Sequence, residues 1–438
     1  MKIAALGCAA LGFMAPTSSQ LAQSEPIDTD SARLVGVSLV EGPSGALTST
    51  PISSKSAETS LQRGSESQKL LSPNGAESDL FGFAASVSGD HALIGAYGDY
   101  DQTLGGGSVL VFRFTGDQWM HKQTLVPNEV GPAYFGQSVE IDGSRAVIGA
   151  PNDNDNGFVS GSAYVFEFDG QHWTESAKLL ASDGSPYDHF GISVALSGNL
   201  IVVGALGDDD LGDLSGSAYV FAYDNGMWSE STKLVPSDGQ AGDIFGWDVD
   251  IYDSRLLVGS KRSAYVYDNA EALWSESSQL APSSGAAGDL FERSVSLYAD
   301  RALVVAPHTG LAAFVFEFDG SSWNQTEILV PTDGPPTGTF GRSVELFGDR
   351  ALIGHPTDDD NGVNSGSAYV FSFENGEWVE SAKLLPADGQ ENDEFGVAVS
   401  LSGSFELIGA PYEDTLGSSA GSAYVFEENL VFRSDFED

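Results

Sequence analysis

The chain has 438 residues, and 63 Asp plus Glu against 19 Lys plus Arg give it a formal net charge of −44. That balance excludes a nucleic-acid binder and a polybasic membrane-surface protein, both of which rely on clustered Lys and Arg. Hydrophobic residues at 41% and aromatics at 11% supply a core, which separates the chain from acidic disordered proteins.

Met1 and Lys2 precede an apolar stretch from Ile3 to Ala15. This is the layout of a secretory signal peptide, and the stretch is too short to span a bilayer. Cleavage is expected between Ala15 and Ala22, which makes residues 1–22 the signal peptide. The chain's one cysteine, Cys8, lies inside it, so the exported protein carries no disulfide and is held by its core, its topology or metal ions. Residues 23–64 are rich in Ser, Thr, Pro, Gly and Glu and read as a low-complexity linker. Residues 429–438 form a short C-terminal tail. The expected location is secreted, extracellular or at the cell surface, with the periplasm as the alternative.

Between them runs an internal repeat. Phe-Gly recurs at Phe81, Phe135, Phe190, Phe245, Phe340 and Phe395, and Phe291-Glu292 holds the same position with the glycine lost. Successive phenylalanines are 54, 55, 55, 46, 49 and 55 residues apart, which makes seven units. Each unit has an alternating segment such as Ser193–Leu196, then an aliphatic run such as Leu200–Val203 ending in Gly-Ala or Gly-Ala-Pro. An acidic loop follows, then Gly-Ser-Ala-Tyr-Val-Phe, an Asp/Asn-Gly turn, and a segment from Trp to Lys-Leu-Leu. Four short β-rich segments between turn residues predict one antiparallel meander. Seven of them predict an all-β, seven-bladed β-propeller of four-stranded antiparallel blades over residues 65–428.

The seventh unit stops at Phe426 without its Trp-to-Lys-Leu-Leu segment, and the missing piece stands at the front as Ser67-Gln68-Lys69-Leu70-Leu71. An N-terminal strand that completes the last blade closes the ring and removes both sheet edges. Trp119, Trp173, Trp228, Trp274, Trp323 and Trp378 occupy one repeat position and are expected to pack between blades, while Gly64 stands there in the closing segment.

Seven ordered copies of these motifs resemble the FG-GAP repeat family, the propeller type of integrin α-subunit heads and many bacterial surface proteins. The resemblance implies an extracellular propeller, often calcium-loaded, used in adhesion or ligand binding.

The acidic loops align as Asp99-x-Asp101, Asp153-x-Asp155-x-Gly157, Asp208-x-Asp210-x-Gly212 and Asp358-x-Asp360-x-Gly362, with a weaker Glu413-Asp414-Thr415 in the seventh unit. Carboxylates two residues apart, followed by a turn-permitting glycine, suit Ca2+, which takes about 6–8 oxygen ligands. Asp, Asn and Gly are equally ordinary turn formers, and the fifth loop position, an acid in the integrin pattern, is Gly here. Units four and five have lost the acids, with Gly259-Ser260-Lys261-Arg262 and Pro307-His308-Thr309-Gly310 in their place. Lys261, Arg262, Arg293, Arg301 and His308 make that sector the least acidic, and it reads either as simple degeneration of the repeat or as a candidate anion-facing or partner-facing patch. A second set, Asp79, Asp188, Asp243, Asp289 and Asp393, precedes the phenylalanines and is expected to cap turns.

The six histidines fall at scattered repeat positions, and the chain has no HExxH helix, GxSxG elbow, P-loop or dinucleotide fingerprint. The expected protein is a monomeric, calcium-stabilised, non-enzymatic adhesion or ligand-binding module with an extracellular protein or glycan partner. The alternatives are an extracellular propeller enzyme acting on polysaccharide or lipid, and a structural surface or coat protein.

Overall fold

The computed structural model of the protein describes residues 65–427, apart from 101–105, 130–133, 272, 283–293, 307–311 and 335–337. The signal peptide, linker and tail expectations therefore lie outside the described residues, as do Asp101, Asp289, Phe291, Glu292, Arg293 and His308. Among the described residues there is no helix, and none is long and apolar enough to cross a membrane.

Blade 3 shows the pattern of the whole ring. Val194–Ser197, Leu200–Ala205, Ser217–Asp224 and Met227–Leu234 form one antiparallel sheet in chain order, here called strands A to D. Seven such four-stranded sheets follow one another, as the repeat predicts. Strand B is an unbroken apolar run because neighbouring blades cover both of its faces. Strand D alternates exposed and partly buried residues, since only one of its faces meets protein. The turn from C to D in blade 3 is Asn225-Gly226, with φ of 50° and 85°. A two-residue turn of that kind matches the twist of the flanking strands. The pairing of C with D carries a bulge at the same place in every blade, as between Val220 and Phe221.

The ring closes as expected. Ser65–Leu70 pairs antiparallel with Ser422–Glu427, placing Leu70 opposite Ala423 and completing blade 7. Leu70 is buried in the core shared by blades 7 and 1, with Phe81, Ile94 and Val425. The Gln68 amide also bonds the main chain of Trp119 in blade 1, donating to its carbonyl at 2.8 Å and accepting from its N–H at 2.7 Å.

The Phe-Gly and Gly-Ala motifs are the joints between blades. Phe190, at the start of blade 3, is fully buried against Tyr219 and Phe221, and its N–H donates back to Ser160 of blade 2. Gly191 has φ of 92°, and a Cβ there would lie 2.2 Å from the Ser162 carbonyl oxygen of blade 2. That contact alone demands glycine. The tryptophans pack between blades as expected. Trp119 meets Phe405 of blade 7, His91 of blade 1 meets Trp173, and Arg145, Arg255 and Arg301 stack on the Trp of the following blade.

Candidate functional site

An antiparallel meander returns to the same end after every second strand. The loops from B to C, the connections leaving D and the starts of strand A therefore share one face of the ring. The paired aspartates are gathered on that face.

In blade 3, Asp208 and Asp210 come from the loop between B and C, Asp183 from the connection entering the blade, and Tyr219 from strand C. Lys233 reaches up from strand D. Its Nζ lies 2.8 Å from Asp183, 2.6 Å from Asp208 and 2.7 Å from Asp210. The Tyr219 hydroxyl is within hydrogen-bond distance of Asp183 and Asp208, and its ring centroid is 5.3 Å from Nζ. The loop is held locally as well. The Leu214 N–H donates to the Asp209 carboxylate at 2.8 Å, and the Ser215 hydroxyl to the Asp208 carbonyl at 2.9 Å. Asp209 thus shapes the turn, while Asp208 and Asp210 face the Lys233 ammonium.

The arrangement recurs. Lys383 Nζ is 2.7 Å from Asp333, 3.0 Å from Asp358 and 2.9 Å from Asp360. Lys178 is ion-paired with Glu129, Asp153 and Asp155. In blade 7, Lys69 of the closing strand is 2.6 Å from Asp388, 3.0 Å from Glu413 and 3.1 Å from the Thr415 hydroxyl. Burial works against the charged form of each lysine, but hydrogen bonds to the surrounding carboxylates outweigh it and hold all four ammonium groups above their ordinary range. Burial likewise opposes the ionised forms of Asp153, Asp183, Asp358 and Asp388, yet their hydrogen bonds, the lysine's prominent among them, keep these carboxyls below theirs.

The fold family implies calcium at these loops. The donors are of the right kind, and the carboxylate oxygens of Glu129, Asp153 and Asp155, and of Asp183, Asp208 and Asp210, lie within 4.8 Å of one another. The point that they surround is the lysine Nζ. With the ammonium seated there, these sets do not fit a divalent ion. Blade 1 differs, because Leu110 and Thr124 stand where blades 2, 3, 6 and 7 have Tyr and Lys. Asp99 accepts from the Ser108 hydroxyl at 2.7 Å.

The lysines, Glu129 and the connection aspartates Asp183, Asp333 and Asp388 were not among the expected site residues. Their signal is present in the sequence, as an Asp-Gly after the D strands of blades 2, 3, 5 and 6 and a Lys ahead of the final Leu of strand D in blades 2, 3, 6 and 7. The turn-capping expectation holds at four positions. Asp79, Asp188, Asp243 and Asp393 each accept the N–H three residues earlier, at 2.7–2.8 Å. Two described cations of the least acidic sector are engaged by carboxylates. Arg262 is paired with Asp243 at 2.9 Å, and Arg301 is bound to Glu317 and Asp349.

The A strands line a central shaft enclosing a cavity of about 390 Å³, with Phe83, Ile192, Trp247 and Arg342 among its lining residues. Glu140, Asp250 and Glu345 occupy the register where other blades carry Ser86, Ala195, Ser296 and Ser400. Burial and repulsion from neighbouring carboxylates push Asp250 up to about 7 and Glu140 up to about 8, and raise Glu345 as well. Asp250 also joins blades, accepting from the Leu297 N–H at 2.6 Å.

No curated protein matches the chain significantly. Among solved structures, it is similar to a chain in the crystal structure of a mitotic checkpoint complex, at 9% identity and a TM-score of 0.52, over 90% of this chain and 99% of that one. It is also similar to a candidate 6-phosphogluconolactonase from Bacteroides fragilis, at 11% identity and a TM-score of 0.49, over 72% of this chain and 86% of that one. Such likeness concerns the fold alone. The family model described as FG-GAP repeat matches residues 65–112, 119–166, 173–221, 228–271, 323–371 and 378–426. Between the fourth and fifth matches it passes over residues 272–322, which hold the last strand of blade 4 and the first three of blade 5, where both the Phe-Gly glycine and the loop acids have been lost. With more than half its length matched, the protein belongs to the FG-GAP repeat family.

Proposed function

We propose that this FG-GAP propeller is a secreted, non-enzymatic adhesion or ligand-binding module that engages an extracellular protein or glycan through its loop face. The supporting observation is the aromatic surface on that face. Phe158 and Tyr187, 63% and 58% exposed, pack edge to face at 5.4 Å beside the acidic loops, and Trp247 is exposed at the shaft. Exposed aromatics on a rigid frame supply contact area at low entropic cost. Binding of the purified propeller to a glycan array and to cells tests this function. Phe158→Ala with Tyr187→Ala should lower binding at least tenfold without changing the unfolding temperature, and undiminished binding would remove the loop face from consideration.

The shaft lends support to a second function, an extracellular enzyme acting on polysaccharide or lipid, because carboxyls with raised proton affinity facing one cavity are a feature of acid–base sites. Hydrolase or lyase activity that disappears in Asp250→Asn would establish it.

A further inference from the structure

We propose that in blades 2, 3, 6 and 7 the strand-D lysine is the resident cation of the acidic loop. It takes the place that family resemblance assigns to calcium, so these four loops require no metal. Removing the lysine opens that place to a divalent ion.

Two independent observations lead here. The first is the geometry. Each Nζ lies among two or three carboxylates drawn from two loops, with a tyrosine ring beside it and the aliphatic stem of the lysine anchored in a paired strand. Calcium could bind only by displacing a covalently tethered ammonium from its carboxylates. A tethered cation is also never lost to dilution, unlike an ion held by mass action.

The second is the way the parts come and go together along the chain. Blades 2, 3, 6 and 7 have the lysine, the tyrosine and the loop acids. Blade 4 lacks the loop acids, and Gln279 replaces the lysine, its amide 3.2 Å from the Tyr265 hydroxyl and 3.5 Å from Asp238. Blade 5 lacks the loop acids as well, and Phe314 and Ile328 stand at the tyrosine and lysine positions. If the carboxylates served a metal, the lysine would have no reason to disappear with them. Blade 1 alone keeps paired aspartates, Asp99 and Asp101, without a lysine.

The test therefore removes the first loop from the comparison. Unfolding temperatures are measured in chelator and in millimolar calcium for Asp99→Asn and for the same protein with Lys233→Met or Lys383→Met. A fourth protein combines Asp99→Asn, Lys233→Met and Asp208→Asn. The single variant should be indifferent to calcium. Each lysine variant should melt about 3 °C lower in chelator, and calcium should restore at least half of that loss. Asp208→Asn should abolish the restoration. The proposal is overturned if calcium stabilises the Asp99→Asn protein by several degrees and a further Asp208→Asn removes the gain. It is equally overturned if the lysine variants show no response to calcium. The two lysines lie in different blades, and the calcium response of Asp99→Asn is informative even if one lysine variant fails to fold.

Discussion

Blades 3 and 5 are built from the same four strands, with the same bulge between C and D, and differ in the loop acids and in the cross-strand pair that stands beneath them. Blade 3 places Tyr219 and Lys233 there and surrounds the ammonium with three carboxylates. Blade 5 places Phe314 and Ile328 there, and Phe314 is 2% exposed within the core between blades 4 and 5. The propeller is satisfied by either solution. What the fold needs is strand pairing and buried aromatics at the joints; the ion cluster is an addition at the loop end. This agrees with the general finding that a partly buried ion pair contributes little over an apolar pair of similar size, while breaking it by removing one partner is costly.

The comparison can be broken most severely through blade 7, whose lysine lies on the closing strand. Deleting residues 65–73 removes Lys69, Leu70 and the pairing with Ser422–Glu427 together. The expected loss is about 5 kcal/mol or more, a large share of ordinary domain stability, and a single cooperative melt should give way to a broad one. Retention of the wild-type transition would contradict closure by this strand.

A narrower break is Lys233→Met, expected to cost about 2 kcal/mol in denaturant unfolding. That figure lies between the small worth of exposed pairs and the cost of leaving buried charges unpaired, because Asp208 is buried while Asp183 and Asp210 are largely exposed. Ile328→Met in blade 5 should change stability by less than about 0.5 kcal/mol. Equal costs would mean that the two positions are energetically alike.

The clusters and the shaft should also respond to pH in opposite directions. Carboxyls held low by lysine, such as Asp183 and Asp388, contribute stability that is present above the ordinary carboxylate range and lost as pH falls below it. Asp250, pushed up to about 7 chiefly by burial, holds a proton in the folded state that the unfolded chain releases near pH 4. Its contribution is greatest at low pH and declines as pH rises through 7. Asp250→Asn should therefore raise stability at pH 8 by about 1 kcal/mol and leave it nearly unchanged at pH 4. Chemical denaturation at the two values checks this, and a gain confined to pH 4 would reverse the sign.

The smallest expected effect sharpens the contrast from the other side. Gln279→Lys in blade 4 would place an ammonium near Asp238 and Tyr265, which already surround the amide. With one carboxylate instead of three, the gain should not exceed about 0.5 kcal/mol. A gain as large as the loss in Lys233→Met would show that the loop acids add nothing.

The ring itself was legible because its determinants are local and repeated. Phe190-Gly191, the apolar run of strand B and the Asn225-Gly226 turn each carry their structural meaning within a few residues. The displaced strand at the front announced closure by the same logic. The loops were legible only in part. Asp208 and Asp210 stand out as a pair, but their cation comes from Lys233, 23 residues beyond Asp210, and their third carboxylate from Asp183, in the connection entering the blade. Before folding, that lysine reads as one more polar residue on an exposed strand. The shaft acids were missed for a related reason. Glu140 sits in an ordinary alternating strand, and only the packing of the A strands around one axis brings it toward Asp250 and Glu345.

The claim that lysine is the built-in cation can be observed directly at the nitrogen. A solvated lysine ammonium exchanges its protons with water too fast near neutral pH to give a resolved signal, whereas one held by several carboxylates is protected. Nitrogen-15 NMR of the side-chain ammonium groups, on the metal-free protein near pH 7, should show four protected signals among the chain's eight lysines. Substitution should assign them to Lys69, Lys178, Lys233 and Lys383, and adding calcium should leave them in place. Absence of these signals, or their loss on addition of calcium, would contradict the lysine as resident cation.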